Sequence, residues 1–407
     1  MEDKRSWQTF ALPENVNDII DELMRHGYEA YAVGGCVRDT LLGRTPGDWD
    51  ITTSAAPEAV KRIFKRTIDT GIEHGTVTVM LEKCGYEVTT YRIDGEYEDG
   101  RHPKSVEFTT KLAEDLKRRD FTINAMAYND QTGLVDLFDG MGDLERGIIR
   151  CVGEAEERFT EDALRMLRAV RFAAQLGFSI ESKTMEAIRA LASGLSKISR
   201  ERIQAELTKL LTSSHPELVE KINSLGLMKQ ILPELAQSYE QADTEKMLAR
   251  LMHTEPDTIL RYTVFLSVVE DMPERRRERT RRILRELKFD NHTTDFVSRL
   301  SEWREVELST ERPVLRRQIV EIGEDLFPYL LKLQGAGWAR KLYDEMKASG
   351  DCLAVRELAV NGRDLLEAGI TPGKQIGETL LWLLQIVLEK PEYNTRETLL
   401  SVIRENS

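Results

Sequence analysis

The sequence predicts an α+β protein: a small sheet with covering helices over the first 150 residues, then helices alone. Three observations predict it. Up to about residue 150, short apolar runs alternating with period 2 take turns with helical stretches, and these two periodicities separate strands from helices. After about Glu154 nearly every segment repeats its apolar residues at helical steps. The composition, 41% hydrophobic and 31% charged over 407 residues, is that of a charge-dressed globular chain with more than one domain's worth of sequence.

The elements follow in order. Asn15 to Arg25 places Val16, Ile19, Ile20 and Leu23 on one face and predicts a helix. Tyr28 to Val33 reads as a strand ended by Gly34-Gly35, with a helix from Val37 to Leu42 behind it. Asp48 to Thr53 has strand alternation, and Ala59 to Phe64 is helical behind Pro57. Thr76 to Leu81 and Tyr86 to Arg92 form a hairpin whose turn, Glu82 to Gly85, contains glycine. Asp94 to Ser105, polar and aperiodic with two glycines and a proline, predicts a mobile loop, and Val106 to Phe108 a further strand. Helices are expected over Glu161 to Leu176, Thr184 to Leu191, Arg200 to Leu211, Pro216 to Leu225 and on to Ile403.

Charge and cysteine usage exclude several classes. The net charge of −13 argues against a protein that coats nucleic acid with its whole surface, though a local basic groove remains compatible. Cys36, Cys84, Cys151 and Cys352 lie far apart, so neither a zinc ribbon nor a disulfide framework is written, and a reducing compartment fits. The most apolar stretch, Leu380 to Leu388, is too short to span a bilayer, and the first residues lack a signal-peptide core; the expectation is a cytoplasmic protein. None of the six histidines precedes an aspartate, so a His-Asp metal phosphohydrolase is not signalled.

Four constellations carry chemistry. In Asp48-Trp49-Asp50 an extended backbone puts both carboxylates on one face, and two hard oxygen donors suit Mg²⁺ held jointly with substrate phosphates. Taken alone, the triplet is common by chance and reads more readily as a solvated loop. Gly34-Gly35-x-Val-Arg38-Asp39 supplies glycines over which a phosphate can approach the backbone, and a fixed cation; the competing reading is a tight turn with Arg38 in a surface ion pair. Arg118-Arg119-Asp120-Phe121-Thr122-x-Asn124 offers a guanidinium to a triphosphate, or else is only a charged helix start. In Glu161-Asp162-x-x-Arg165-x-x-Arg168-x-x-Arg171 a helix N-capped by Thr160 would carry Asp162, Arg165 and Arg168 within about 120° of arc. An acceptor beside a donor there could hydrogen-bond a base edge as a partner base does.

These motifs, with Thr70-Gly71-x-x-His74-Gly75-Thr76-Val77 and the tail Val360-Asn361-Gly362-x-Asp364-Leu365 to Pro372-Gly373, resemble the bacterial class II CCA-adding enzymes, within the poly(A) polymerase and tRNA nucleotidyltransferase family. The resemblance implies a polymerase-β-like nucleotidyltransferase head (1–150), a helical neck that reads the incoming base (151–225), and a helical body (226–312) and tail (313–407) that bind tRNA. It implies that Asp48 and Asp50 are catalytic and bind Mg²⁺. It implies further that Gly35, Arg38, Arg119, Asp162, Arg165, Arg168 and Arg171 bind CTP and ATP, with Asp162 and Arg165 as the amino-acid template.

A third carboxylate would assist the metal, and Glu87 is the candidate by topology ahead of Asp120. The expected partners are tRNA, CTP and ATP, with no membrane; a homodimer is compatible with the sequence but not specified by it. Arg275 to Lys288, with eight basic residues and two acids, is the expected phosphate contact, against the alternative of a helix face laced with ion pairs. Rival activities are addition of CC or A alone, a poly(A) polymerase, and a non-catalytic tRNA-binding protein. The His74 to Val77 stretch and the loop at Asp94 to Ser105 lean toward complete CCA addition.

Overall fold

The computed structural model describes residues 10–95, 106–241, 244–268 and 272–405, so the loop expected at 94–105 lies, apart from Asp94 and Gly95, outside the described residues. The chain forms two compact units, 1–242 and 243–407.

The first unit opens with helix α1 (Glu14–Arg25), whose Val16, Ile19, Ile20 and Leu23 are buried as their spacing requires. Burying each such side chain stabilises by roughly 1.5–3 kcal/mol. Strand β1 (Ala30–Val33) is buried along its whole length, which makes it central; α2 (Gly35–Leu41) follows it. Then come β2 (Ile51–Thr53), α3 (Pro57–Ile63), β3 (Thr67–Gly71), β4 (Thr76–Leu81), β5 (Cys84–Thr90) and the short β6 (Arg92–Asp94) and β7 (Val106–Phe108). After α4 (Leu112–Lys117) the sheet is completed by β8 (Met126–Asn129) and β9 (Gly133–Asp136).

The seven-stranded sheet runs β3-β4-β5-β2-β1-β8-β9, with β2 and β5 parallel and the other pairs antiparallel. Strands β3, β8 and β9 were not anticipated, because their runs are short and β9 is only half-buried. Tyr31, Val33, Tyr91, Leu116 and Ala127 form a buried cluster that joins α4 to the sheet.

Two turns differ from expectation. The strand expected over Asp48 to Thr53 begins only at Ile51, although the Val33 N–H still donates to the Asp50 carbonyl at 3.0 Å. At the β4–β5 hairpin the two turn residues are Glu82 and Lys83, both at positive φ (49° and 71°), while Gly85 sits inside β5 opposite Met80. A Cβ at Gly85 would come within 2.8 Å of the Thr78 methyl, so close cross-strand packing and not the turn explains that glycine.

Helix α5 (Gly140–Arg146) leads to α6 (Ala155–Glu161), α7 (Leu164–Leu176), α8 (Ser182–Leu191) and α9 (Arg200–Leu211). The single helix expected over Glu161 to Leu176 is therefore two. Asp162 breaks it with extended backbone (φ −142°, ψ 102°), and its carboxylate accepts from the Leu164 N–H at 3.0 Å. Thr160 is not an N-cap; it lies within α6 and its hydroxyl donates to the Glu156 carbonyl. Competition of this kind between an Asp side chain and the helix backbone is why aspartate favours helix ends.

The regular elements of the second unit are all helices among its described residues. Asp257 and Asp290 cap the helices Thr258–Phe265 and Asn291–Trp303 with side-chain oxygens. A separate core around Leu365, Leu383, Leu384, Val387, Leu388, Leu399 and Ile403 holds the C-terminal helices together. No helix among the described residues is long and apolar enough to cross a membrane.

Candidate active site

One wall is acidic, and the sheet register builds it. Ile51 on β2 lies opposite Val88 on the parallel β5, and both are buried. The residues just before them, Asp50 and Glu87, therefore emerge side by side on the opposite face, and Asp48, ahead of the strand, lies near enough to act on both. All three are exposed. Desolvation by the surrounding protein raises the Asp50 carboxyl, Arg119 opposes the rise and Asp48 adds to it; the Glu87 carboxyl is raised by desolvation and then by Asp50 and Asp48. Carboxylates that raise their neighbours in this way make a place that prefers a cation.

No group of three His, Cys, Asp or Glu among the described residues closes into a metal cage. Two carboxylates, with the remaining positions left to substrate phosphates and water, are the donor set that suits Mg²⁺. Asp48 and Asp50 fit that ion.

The opposite wall is basic. Gly34 (φ 84°) makes the turn from β1 into α2, and a Cβ there would approach Arg119 Nη1 to 2.9 Å, so the glycine supplies both the turn and the room for that guanidinium. Gly35, where a Cβ would meet Arg38 Nη2 at an ordinary 3.7 Å, opens α2. Arg38 is buried, not in the surface ion pair of the competing reading. Its Nε and Nη2 donate to the two oxygens of Asp39, each at 2.9 Å, and its Nη1 to Asn124 Oδ1 at 2.6 Å.

Arg118 and Arg119 both turn to Asp115, which is fully buried beneath them and also accepts from the Thr52 hydroxyl of β2. Arg119 Nε is buried with no acceptor among the described residues. Asp120 is not available to a metal: Arg168 Nε and Nη2 donate to its Oδ2 at 2.8 and 2.6 Å, and Asn124 Nδ2 and the Phe121 N–H donate to its Oδ1. Burial pushes that carboxyl up, but Arg168 overrides it and the net direction is well below the usual carboxylate range.

The third side comes from α7 and α9. Asp162, at the break before α7, is gripped by Arg202 of α9 through Nη2 at 2.6 Å and Nη1 at 3.3 Å. Arg165 pairs with Glu161 and donates to the carbonyls of Arg158 and Arg118, so the two side chains expected to read the base together hold different partners here. Arg171 Nε donates to Glu206 at 2.8 Å and its Nη1 to Gln175. Arg168 reaches the same Glu206 at 3.8 Å.

Arg202 and Glu206 were absent from the expected site. Glu206 carried a signal: it lies among Ile203, Leu207 and Leu210 on the face of α9 that is buried, where an acid needs a partner.

Residues 30–150 match the family profile described as "Poly A polymerase head domain", and residues 262–403 match "tRNA nucleotidyltransferase domain 2". The CCA-adding enzyme of Lactiplantibacillus plantarum is 42% identical over 399 residues, covering 95% of this chain and 94% of that protein. That of Enterococcus faecalis is 40% identical, covering 94% and 93%. The Bacillus stearothermophilus CCA-adding enzyme in complex with CTP is a solved structure similar to this one, with 35% identity, a TM-score of 0.81 and 98% of each chain covered.

Proposed function

This chain belongs to the CCA-adding enzymes, and from that premise we propose the residues with which it adds C, C and A to the 3′ end of tRNA. The nucleotides come from CTP and ATP, no nucleic-acid template is used, and pyrophosphate leaves. The observation that supports the assignment is the β2–β5 register that sets Asp50 beside Glu87, with Asp48 close enough to raise both and Arg119 as the opposing charge on Asp50.

Asp48 and Asp50 are the catalytic residues and would hold Mg²⁺, with Glu87 beside them as the third carboxylate. Bound there, the ion supplies the Lewis acidity that favours the alkoxide form of the tRNA 3′-hydroxyl and screens charge on the leaving group. The chain's own part is positioning. Gly35 opens α2 where a phosphate would approach the backbone, Gly34 makes the room that Arg119 occupies, and Arg119, with a buried N–H unsatisfied, offers a donor to a phosphate oxygen.

Arg38, Arg168 and Arg171 fix positive charge around the triphosphate. Cytosine and adenine both present an exocyclic amino donor next to a ring acceptor, and Asp162 with Arg165 matches that pair by one acceptor and one donor. For this, Asp162 must share or release the grip of Arg202. The division into head (1–150), neck (151–225), body (226–312) and tail (313–407) is part of the same reading. So is a cytoplasmic setting, which suits free thiols of which Cys36, Cys151 and Cys352 are buried.

The test is incorporation of labelled CTP alone, ATP alone and both into tRNA lacking CCA, in Mg²⁺, by the wild type and Asp48→Ala. Stepwise addition of C, C and A by the wild type is expected, with a loss of about 10³-fold in the variant and tRNA binding retained. Full activity of Asp48→Ala would refute the metal assignment.

A further inference from the structure

Phe172 lies on α7 next to Arg171 and is 5% exposed. Three guanidiniums surround its ring: Arg171 at 3.6 Å from the centroid, Arg38 at 5.0 Å and Arg168 at 5.3 Å. They come from different elements, Arg38 from α2 and the others from α7. Phe121, of the Arg118 to Asn124 segment, meets the same ring edge-on, with centroids 5.8 Å apart and planes at 80°. One aromatic side chain thus touches all three segments that the proposed nucleotide site is made of.

Like charges brought this close repel, and each guanidinium has its own carboxylate: Asp39 for Arg38, Asp120 for Arg168 and Glu206 for Arg171. The ring is what they share. A carboxylate in its place would take up N–H donors, because it binds guanidinium in the plane of the fork. An aromatic face attracts the cation through its quadrupole and engages no in-plane donor. Arg168 Nη1 shows the consequence, lying 3.8 Å from Glu206 and outside hydrogen-bond reach of it.

We propose that Phe172 is a positioning residue for the nucleotide: its ring holds Arg38, Arg168 and Arg171 at fixed spacing by cation–π attraction and leaves to phosphate oxygens the N–H hydrogens that Asp39, Asn124, Asp120, Glu206 and Gln175 do not take up. The inference rests on the reading of those arginines as triphosphate ligands. It is separable from that reading, because alanine at Arg168 tests the reading while changes in ring electronics test Phe172.

The experiment replaces Phe172 with Leu, and with 3,4,5-trifluorophenylalanine by site-specific incorporation. The fluorinated ring keeps the shape closely and weakens the quadrupole. Both variants should raise KM for CTP and for ATP by a similar factor, roughly 5- to 30-fold for Leu and less for the fluorinated ring. The KM for tRNA should stay unchanged, and the fluorinated protein should melt at the wild-type temperature. Wild-type nucleotide KM in the fluorinated enzyme would overturn the proposal and leave Phe172 as core packing, whether or not the Leu variant folds. Loss of nucleotide affinity in Arg168→Ala beside an unaffected fluorinated enzyme would overturn it while sparing the arginine assignment.

Discussion

Two helices of this chain are rich in arginine, and they use it differently. On Leu164–Leu176 the guanidiniums of Arg168 and Arg171 turn inward, meet Arg38 over the Phe172 ring and pair with acids from other elements, Asp120 and Glu206. On Pro273–Glu286 Arg276, Arg277 and Arg281 pair instead with Glu305, Glu302 and Asp295, on or just beyond the neighbouring helix Asn291–Trp303. The second pattern is largely the ion-pair lacing that competed with the phosphate-contact expectation for this helix. A row of arginines in sequence is therefore not yet a site; the proposed one draws its arginines from separate elements.

The sharpest way to break this contrast is to remove an acid from each region. Asp120→Asn leaves the half-buried Arg168 against a neutral but buried partner, so the loss should approach, without reaching, the roughly 3–5 kcal/mol of breaking a fully buried pair. Glu302→Gln removes a half-exposed partner of Arg277, worth less than about 1 kcal/mol. Thermal melting should show a drop of several degrees for the first and almost none for the second. Equal shifts would mean that the two networks are energetically alike.

Next in size is Arg202→Ala. Asp162 would keep its hold on the Leu164 N–H but lose its cationic partner, and on the proposed base-reading role a carboxylate left to wander should raise KM for both nucleotides about tenfold, the worth of one charge-assisted hydrogen bond. Arg202→Lys should recover only part of this, because a single ammonium replaces a two-pronged contact. Unchanged nucleotide KM in Arg202→Ala would make the Arg202 grip purely structural.

Asp120 also gives the first network a pH response. Asp120 has a folded-state carboxyl depressed below its unfolded value, so its stabilisation is complete above about pH 4, the ordinary carboxylate value, and is lost as pH falls through the folded one. Melting temperature followed downward from pH 5 should fall more steeply in the wild type than in Asp120→Asn. Identical slopes would show that Arg168 does not set that carboxyl.

Much of this is legible in the sequence, and the rest is not for identifiable reasons. α1, β4 and α9 follow from apolar spacing, and the two acids proposed for the metal, Asp48 and Asp50, lie close enough to act on each other even though the strand starts three residues later than Asp48. The break at Asp162 is hidden because an acid in a first turn suits an intact helix as well as a new one. Arg202, Glu206 and Phe172 are hidden because their meaning lies in partners distant along the chain: Arg202 with Asp162, Glu206 with Arg171, Phe172 with Arg38. Local periodicity carries no information about such pairs.

The smallest expected effect concerns the basic residues of Pro273–Glu286 and its C-terminal edge that face solvent. Arg275, Arg285 and Lys288 are exposed, whereas Arg276 is buried against Glu305. If this face meets tRNA, the binding must come from the exposed set, since a buried, paired guanidinium cannot release counterions from a phosphate. Reversing Arg275, Arg285 and Lys288 to Glu should weaken tRNA binding and flatten its dependence on salt, by roughly 0.7–0.9 in the log–log slope for each phosphate no longer neutralised. Nucleotide KM at saturating tRNA should not move, because none of these residues is among the proposed nucleotide ligands. An unchanged salt slope would assign the whole helix to ion-pair lacing and leave the convergent arginines around Phe172 as the ones in this comparison that serve a substrate.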